Sequence, residues 1–329
     1  MNLPVVSVLM PVHNAEAFVG EAVESMLVQT YTNFELLVLD DGSTDGTARV
    51  VSLYSDQRIR YYRNSSSIGI ANTLNIGLKL AKGKYIARFD GDDISLPERL
   101  RIQVEYLDKH PETGLCSTAM QLIGNETGCW IRDMHPEEVK ITLLFHSPIL
   151  HASSMFRKQL FLANGLIYRP DAVPAEDYEL WSRAVRICKM VNLPEVLYLY
   201  RIHSAQVPKN DERALACVRN IKQEYLLAVL PGLSTAVVTS FYELFVDKMP
   251  HTKEEVRVME KLLNTIIDTN KSVRFFDSKR LKCRLRRVFA AKVFYLVASE
   301  KNYDCYLLSK LRIKQVLKLL LPTYHVYSV

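Results

Sequence analysis

Long hydrophobic runs are missing: no uninterrupted apolar stretch reaches the ~18 residues a membrane helix needs, so no transmembrane span is expected. Paired cysteines are missing too. The six cysteines, Cys116, Cys129, Cys188, Cys217, Cys283 and Cys305, include no CxxC spacing, which argues against a zinc ribbon or a disulfide framework and suits a reducing compartment. The first ten residues have neither the basic start nor the long apolar core of a leader peptide, and read as a strand. No G-x-G-x-x-G follows that strand. Pro11-Val-His-Asn14 stands there instead, which excludes a nicotinamide-dependent dehydrogenase reading. Internal repeats and low-complexity tracts are absent as well.

What is present is enough apolar material, 48% of 329 residues, for a full core with a smaller appendage. The net charge of +6 is unevenly spread. Residues 279–318 hold twelve Lys/Arg against two acids, a local +10, which leaves the remainder at −4. A tail this basic implies an anionic partner, a membrane surface or nucleic acid. No nucleic-acid module matches it, so nucleic acid is not expected.

The first 110 residues alternate strand and helix patterns, the signature of βαβ units on a mostly parallel sheet. The pattern predicts strands at 5–10, 35–39, 58–62 and 85–89, with helices at 15–29, 44–54, 72–81 and 97–109. Ser95-Leu-Pro-Glu98 reads as a capping box opening the last of these. Further on, a strand at 115–120, a hairpin near 125–130, a short helix at 137–145, a strand at 151–156, a helix from Ala175 and two short runs at 190–193 and 196–200 complete the first part. From about residue 205 the periodicity is helical: 210–230, 234–248, 252–270 behind a second capping box at Thr252, 279–299 and 304–321. Two domains are therefore expected, 1–205 and a basic helical region, 206–329.

Acids gather where two of the strands end, Asp40-Asp41 after one and Asp90-Gly91-Asp92-Asp93 after another. Open α/β sheets bind ligands at those ends. Repelling carboxylates there call for a hard divalent cation with oxygen ligands, Mn2+ or Mg2+, brought in with a phosphate-bearing substrate.

Five motifs occur in order: Val5-Ser-Val-Leu-Met-Pro-Val-His-Asn14, Gln29-Thr-Tyr-Thr-Asn-Phe-Glu35, Asp40-Asp-Gly-Ser-Thr-Asp45, Phe89-Asp-Gly-Asp-Asp93 and Glu176-Asp-Tyr-Glu-Leu-Trp181. Together they resemble family 2 glycosyltransferases of GT-A fold, over roughly the first 200 residues. That resemblance implies a Rossmann-like α/β domain that binds a nucleotide-diphospho-sugar, its mixed, mostly parallel sheet flanked by helices. It implies that Pro11, His13 and Asn14 carry the nucleotide base, and that Asp41 accepts a hydrogen bond from uracil. His13 departs from the usual tyrosine or phenylalanine and offers a smaller stacking face. Asn64, Gly69 and Asn75 fall where relatives wrap the nucleotide, although Asn75 could equally hold backbone together. Asp90 would face ribose and Asp92 would bind the cation. Asp93 ranks below Asp92 and could serve the backbone instead.

By the same resemblance Asp177 is the catalytic base of a single inverting displacement, with Glu176 beside it. His203 is a third metal ligand or an ordinary surface histidine. His151 borders the acceptor pocket or sits hydrogen-bonded in the core, and Trp181 is core packing in preference to a sugar platform. The basic helix at 279–299 either lies on an anionic bilayer surface or packs in a bundle. The expected activity is metal-dependent, inverting transfer from a nucleotide-sugar, foremost a UDP-sugar, to a hydroxyl of a glycan or lipid-linked acceptor in polysaccharide synthesis. Its expected place is the cytoplasm, where the tail would reach the inner membrane face. The competing reading is a catalytically silent GT-A scaffold binding nucleotide or glycan as a partner subunit.

Overall fold

The computed structural model describes residues 3–131, 135–204 and 212–299, together with 307 and 311. The expected helix at 304–321, and with it most of the basic stretch beyond 299, lies outside them. The chain forms two compact units, one from 1–139 with 147–217, the other from 140–146 with 218–329.

The first unit is built on one nine-stranded sheet. Its first half alternates as expected: β1 (Val6–Val12), α1 (Val19–Leu27), β2 (Phe34–Asp40), α2 (Thr47–Val51), β3 (Ile59–Arg63), α3 (Ile70–Leu80) and β4 (Tyr85–Arg88). β2 and β4 flank β1 in parallel, and β3 adds in parallel beside β2 at the edge. All seven residues of β2 are buried, the continuous apolar reading of a strand covered on both faces. α1 turns Val19, Ala22, Val23 and Met26 into the core, the spacing of one helical face.

Beyond the two-residue β5 (Ile94–Ser95) come α4 (Arg99–Lys109), β6 (Thr113–Gly124), β7 (Gly128–Trp130), α5 (Pro136–Thr142), β8 (Met155–Arg157), α6 (Lys158–Ala163), α7 (Glu176–Ala184) and β9 (Lys189–Ile202). The strand order is β3-β2-β1-β4-β8-β6-β9-β5, with β7 hairpinned onto β6. β8 is antiparallel to both β4 and β6, while β9 runs parallel to β6. Two reversals cancel, so β9 points the same way as β4. The carboxyl ends of β1, β2, β4 and β9 therefore open on one edge of the sheet, where α/β folds hold ligands.

Three local expectations change. Ser95 does not cap α4: it pairs with Tyr198 on β9, its N–H donates to Ser25 Oγ, and Gln29 Nε2 donates to its hydroxyl, so the helix opens at Arg99. The two runs at 190–193 and 196–200 are one strand, its register shifted where Pro194, lacking an N–H, leaves the ladder. Residues His151–Ser153 form a 3-10 turn ahead of a strand only three residues long.

The second unit is helical: α8 (Glu212–Val229), whose first residues belong to the first unit, then α9 (Thr235–Tyr242), a π-helical turn at Glu243–Asp247, α10 (Lys253–Val273) and α11 (Ser278–Ser299). Thr252 closes the expected capping box with Glu255. α10 buries Val256, Met259, Leu263 and Ile266, and α11 buries Leu281, Leu285, Val293 and Leu296. Most of the apolar residues of α11 are thus spent on packing, while Phe294 and Tyr295 are exposed. Lys279, Arg280 and Lys282 remain exposed, with Arg284, Arg286 and Arg287 half-buried.

Thr252→Ala removes one partner of that box and should lower the stability of the helical unit by about 1 kcal/mol, read as an earlier urea midpoint.

Candidate active site

The acidic loop after β4 is held from three sides. Gly91 lets it approach β1 closely: a Cβ there would lie 2.4 Å from Val12 Cγ1. From beneath, Arg88 is buried to 2% exposure and donates to the Phe89 carbonyl at 2.5 Å and to Asp90 Oδ1 at 2.6 Å. From β9, the Tyr198 hydroxyl donates to Asp93 Oδ2 at 2.8 Å and accepts from the Asp90 N–H at 3.1 Å. The Arg201 N–H donates to Asp93 Oδ1 and its guanidinium to the Asp92 carbonyl, both at 2.7 Å. Asp93 is therefore a structural acid tied to β9.

Asp92 remains at the loop's outer edge, its Oδ2 2.9 Å from His203 Nε2. His203 follows the end of β9, its ring 4.7 Å from that of Phe18, and the Arg201 guanidinium lies 5.2 Å from the same ring while pairing with Glu21. The two strands bring the expected metal pair together. Two donors ~3 Å apart match neighbouring corners of an octahedral ion with ~2.1 Å bonds, so the pair fits Mn2+ or Mg2+. Among the described residues no group of three or more His, Cys, Asp or Glu is arranged for a metal.

Charge decides how the acids behave. Burial raises the Asp90 pKa and Asp92 adds to this, while Arg88 opposes it. Burial raises Asp177 as well, with Glu176 next, to about 7. Glu176 is raised by burial, and its Oε2 has no hydrogen-bond partner. Tyr168 feels the charges of Arg88, Glu176, Asp177 and Asp90, and Glu176 feels Arg88 and Asp90. The acids of the β4 loop and of the α7 N-terminus thus share one electrostatic neighbourhood, with Arg88 common to both. A charged residue inside the otherwise apolar run before the acids was the signal for Arg88, which the motif reading passed over.

Of the residues expected at the nucleotide, Pro11 lies in β1, and His13 and Asn14 follow its end. His13 Nδ1 donates to the Asp41 carbonyl at 2.9 Å. Asn14 takes a left-handed φ of 51° and its Oδ1 accepts from Thr44 N–H at 2.8 Å, clipping the two loops together. Asp40 faces inward, accepting from Ser43 N–H and from the Tyr61 hydroxyl. Asp41 is already saturated: Asn64, Thr73, Ser67 and the N–H groups of Ile68 and Gly69 all donate to its carboxylate. Gly69 has φ 86°, a backbone conformation suited to glycine.

Asn75 takes the backbone-holding alternative left open for it, and Trp181 the core packing preferred for it. Asn75 is not free for a nucleotide, because its amide exchanges two bonds with the Tyr168 backbone, at 2.8 and 3.0 Å. Trp181 is fully buried, edge-on to Phe156, Phe161 and His151, with no face left for an acceptor. His151 pairs with the Tyr168 hydroxyl at 2.9 Å, and burial, then Arg88, hold its pKa well below the usual range.

A family model, Glycosyl transferase family 2, matches residues 7–165. An uncharacterized glycosyltransferase of Haemophilus influenzae is 32% identical over 80% of this chain and 85% of its own length. The chain belongs to glycosyltransferase family 2. A second family relative, the O-antigen biosynthesis glycosyltransferase WbnJ of Escherichia coli, is 32% identical over 68% of this chain and 90% of its own. Among solved structures, S. aureus TarS residues 1–349 in complex with UDP-GlcNAc superposes with a TM-score of 0.62 at 16% identity, covering 91% and 92% of the two chains. The mannosyltransferase PcManGT of Pyrobaculum calidifontis, with GDP-Man and Mn2+, gives 0.50 at 18% over 97% and 81%. This family 2 chain has the GT-A fold.

Tyr198→Phe removes the one hydroxyl that serves both Asp90 and Asp93. It should cost about 1–3 kcal/mol, the penalty of leaving a buried polar group unpaired, measured by urea unfolding.

Proposed function

We propose that this family 2 glycosyltransferase carries out a single inverting displacement from a nucleotide-sugar, foremost a UDP-sugar, to a hydroxyl of a glycan or lipid-linked acceptor. The observation that carries the reading is Asp177, at about pKa 7 in the electrostatic neighbourhood of the β4 acids. A base with that pKa accepts a proton near neutrality and is still ionised enough to do so. UDP-GlcNAc in TarS and GDP-Man in PcManGT support a nucleotide-sugar donor, and WbnJ supports a place in polysaccharide synthesis.

In this mechanism Asp92 and His203 would hold a divalent cation, Mn2+ or Mg2+. Such an ion, when bound, neutralises charge on the diphosphate as a Lewis acid. Asp90, oriented by Arg88, faces the ribose. Asp177 takes the proton of the acceptor hydroxyl as that oxygen attacks the anomeric carbon from the side opposite the diphosphate. One carboxylate suffices, and configuration inverts.

Asp177→Asn should abolish transfer, by a factor of about 10³ or more, while Mn2+-dependent binding of UDP by calorimetry stays within twofold. Equal loss of both would remove the base assignment. The pH dependence follows from the sign of the shift. The base works ionised and its pKa is raised to about 7, so kcat/KM should rise about tenfold per unit below pH 7 and level off above it.

The basic face of α11 supports docking on an anionic membrane surface chiefly by charge, because most of its apolar stripe is already buried. No helix among the described residues is long and apolar enough to cross a membrane. Reversing Lys279, Arg280 and Lys282 to Glu should release the enzyme from phosphatidylserine vesicles at low salt, by about 1 kcal/mol per charge removed. Unchanged sedimentation with the vesicles would end the membrane proposal.

A further inference from the structure

The sheet ends one residue short of His203. The ladder between β6 and β9 closes at Gly124 and Ile202, and the Ile202 carbonyl accepts from the Asn125 N–H at 2.9 Å. Strand pairing therefore does not reach the histidine that β9 presents. Side chains from the start of α1 do. The Phe18 ring lies 4.7 Å from the His203 ring at an interplanar angle of 35°, within the range of an attractive aromatic pair. Three residues on, Glu21 Oε2 accepts from the Arg201 guanidinium at 2.5 Å. That guanidinium lies 5.2 Å from the Phe18 ring and donates to the Asp92 carbonyl at 2.7 Å. The two spacings match. Phe18 and Glu21 stand three apart, as neighbours on a helix face do, and Arg201 and His203 stand two apart, the period of one strand face. The platform itself is fixed, because α1 buries Val19, Ala22, Val23 and Met26, and the Ala15 N–H just before it donates to Thr47 Oγ1 at 2.8 Å.

We propose that Phe18 is a positioning residue for the divalent cation: its ring holds the His203 imidazole beside Asp92, so that Nε2 is in place before the ion arrives. This rests on the metal reading above and adds to it a residue with no polar side-chain atom, which touches neither ion nor substrate. The Phe18 contact and the 2.9 Å approach of Nε2 to Asp92 Oδ2 involve different parts of the imidazole, the ring as a whole and one edge atom. A histidine that had to be ordered as the ion bound would weaken binding about two- to tenfold, the cost of immobilising one mobile side chain. A ring held in advance avoids that loss. Phe18 is half-buried on a helix packed into the core, so its own position does not depend on the ligand.

The test separates the supporting ring from the ligand. UDP binding to the full chain is measured by calorimetry with and without Mn2+, and the ratio of the two affinities is the contribution of the metal. Phe18→Leu, which keeps apolar bulk on α1, should cut that ratio about two- to tenfold and leave metal-free UDP binding unchanged. Phe18→Tyr, which keeps a ring, should retain the ratio of the wild type. In a His203→Ala background Phe18→Leu should lower the ratio no further, because the residue it acts through is gone. No loss in Phe18→Leu, or an equal loss in both backgrounds, overturns the proposal and leaves the metal reading standing. A ratio that is the same in wild type and His203→Ala strikes the metal reading itself, and the positioning role falls with it. NMR reads the contact with neither metal nor nucleotide present. The His203 ring protons, identified by their loss in His203→Ala, should shift in Phe18→Leu as the ring current of Phe18 is removed, and unmoved signals refute the proposal.

Discussion

The site depends on confining like charges at the end of one strand. Asp90, Asp92 and Asp93 stand within four residues, and a loop of that kind in water would splay apart. Here a buried guanidinium, a buried phenol and a backbone amide each take one edge of the cluster. Their combined effect is selective. Asp93 is consumed by the scaffold, Asp90 is oriented, and Asp92 is left beside His203. Arg88 does more than balance charge locally, because the same guanidinium acts on Glu176 and Asp177. The acids of the β4 loop and those of the α7 N-terminus are thereby tuned by one residue.

Much of this was legible in the chain. The parallel half of the sheet could be read because βαβ alternation and strand-end acids are local signals, and β1, β2 and β4 fall within one or two residues of their expected bounds. The Asp92 and His203 pairing was readable only as a resemblance, since 111 residues separate the two and the reversal at β8 that aligns their strands leaves no mark in periodicity. Side-chain commitments were least legible. Ser95, Asn75 and Asp41 belong to types that suit caps, ligands and bases equally well. What each does depends on which backbone groups the distant chain leaves in need of a partner, and that is a tertiary fact.

The second unit shows the same division between pattern and context. Its capping box formed as the spacing required, because both partners lie within one turn. The amphipathic reading of α11 was correct in composition yet open in meaning. Burial of Leu281, Leu285, Val293 and Leu296 assigns most of the apolar face to the bundle, with Phe294 and Tyr295 left exposed, so any membrane role rests chiefly on the cations. Such attachment would be screened by salt over about 10 Å at 0.1 M and would be reversible in a way that inserted hydrophobic side chains are not.

The double bridge between Asn75 and the Tyr168 backbone has a geometric corollary. α3 is fastened at Gly69 and Thr73 to the turn over Asp41, and at Asn75 to the segment whose tyrosine meets His151 beside the α7 acids. Six residues of helix separate Gly69 from Asn75, about 9 Å of rise. That short rod acts as a ruler between the Asp41 turn and the Tyr168 segment. Deleting or adding a single residue within it would rotate Asn75 by about 100° off its partner, so the span between the Asp41 turn and the Tyr168 segment is written in the length of about 1.7 turns of helix.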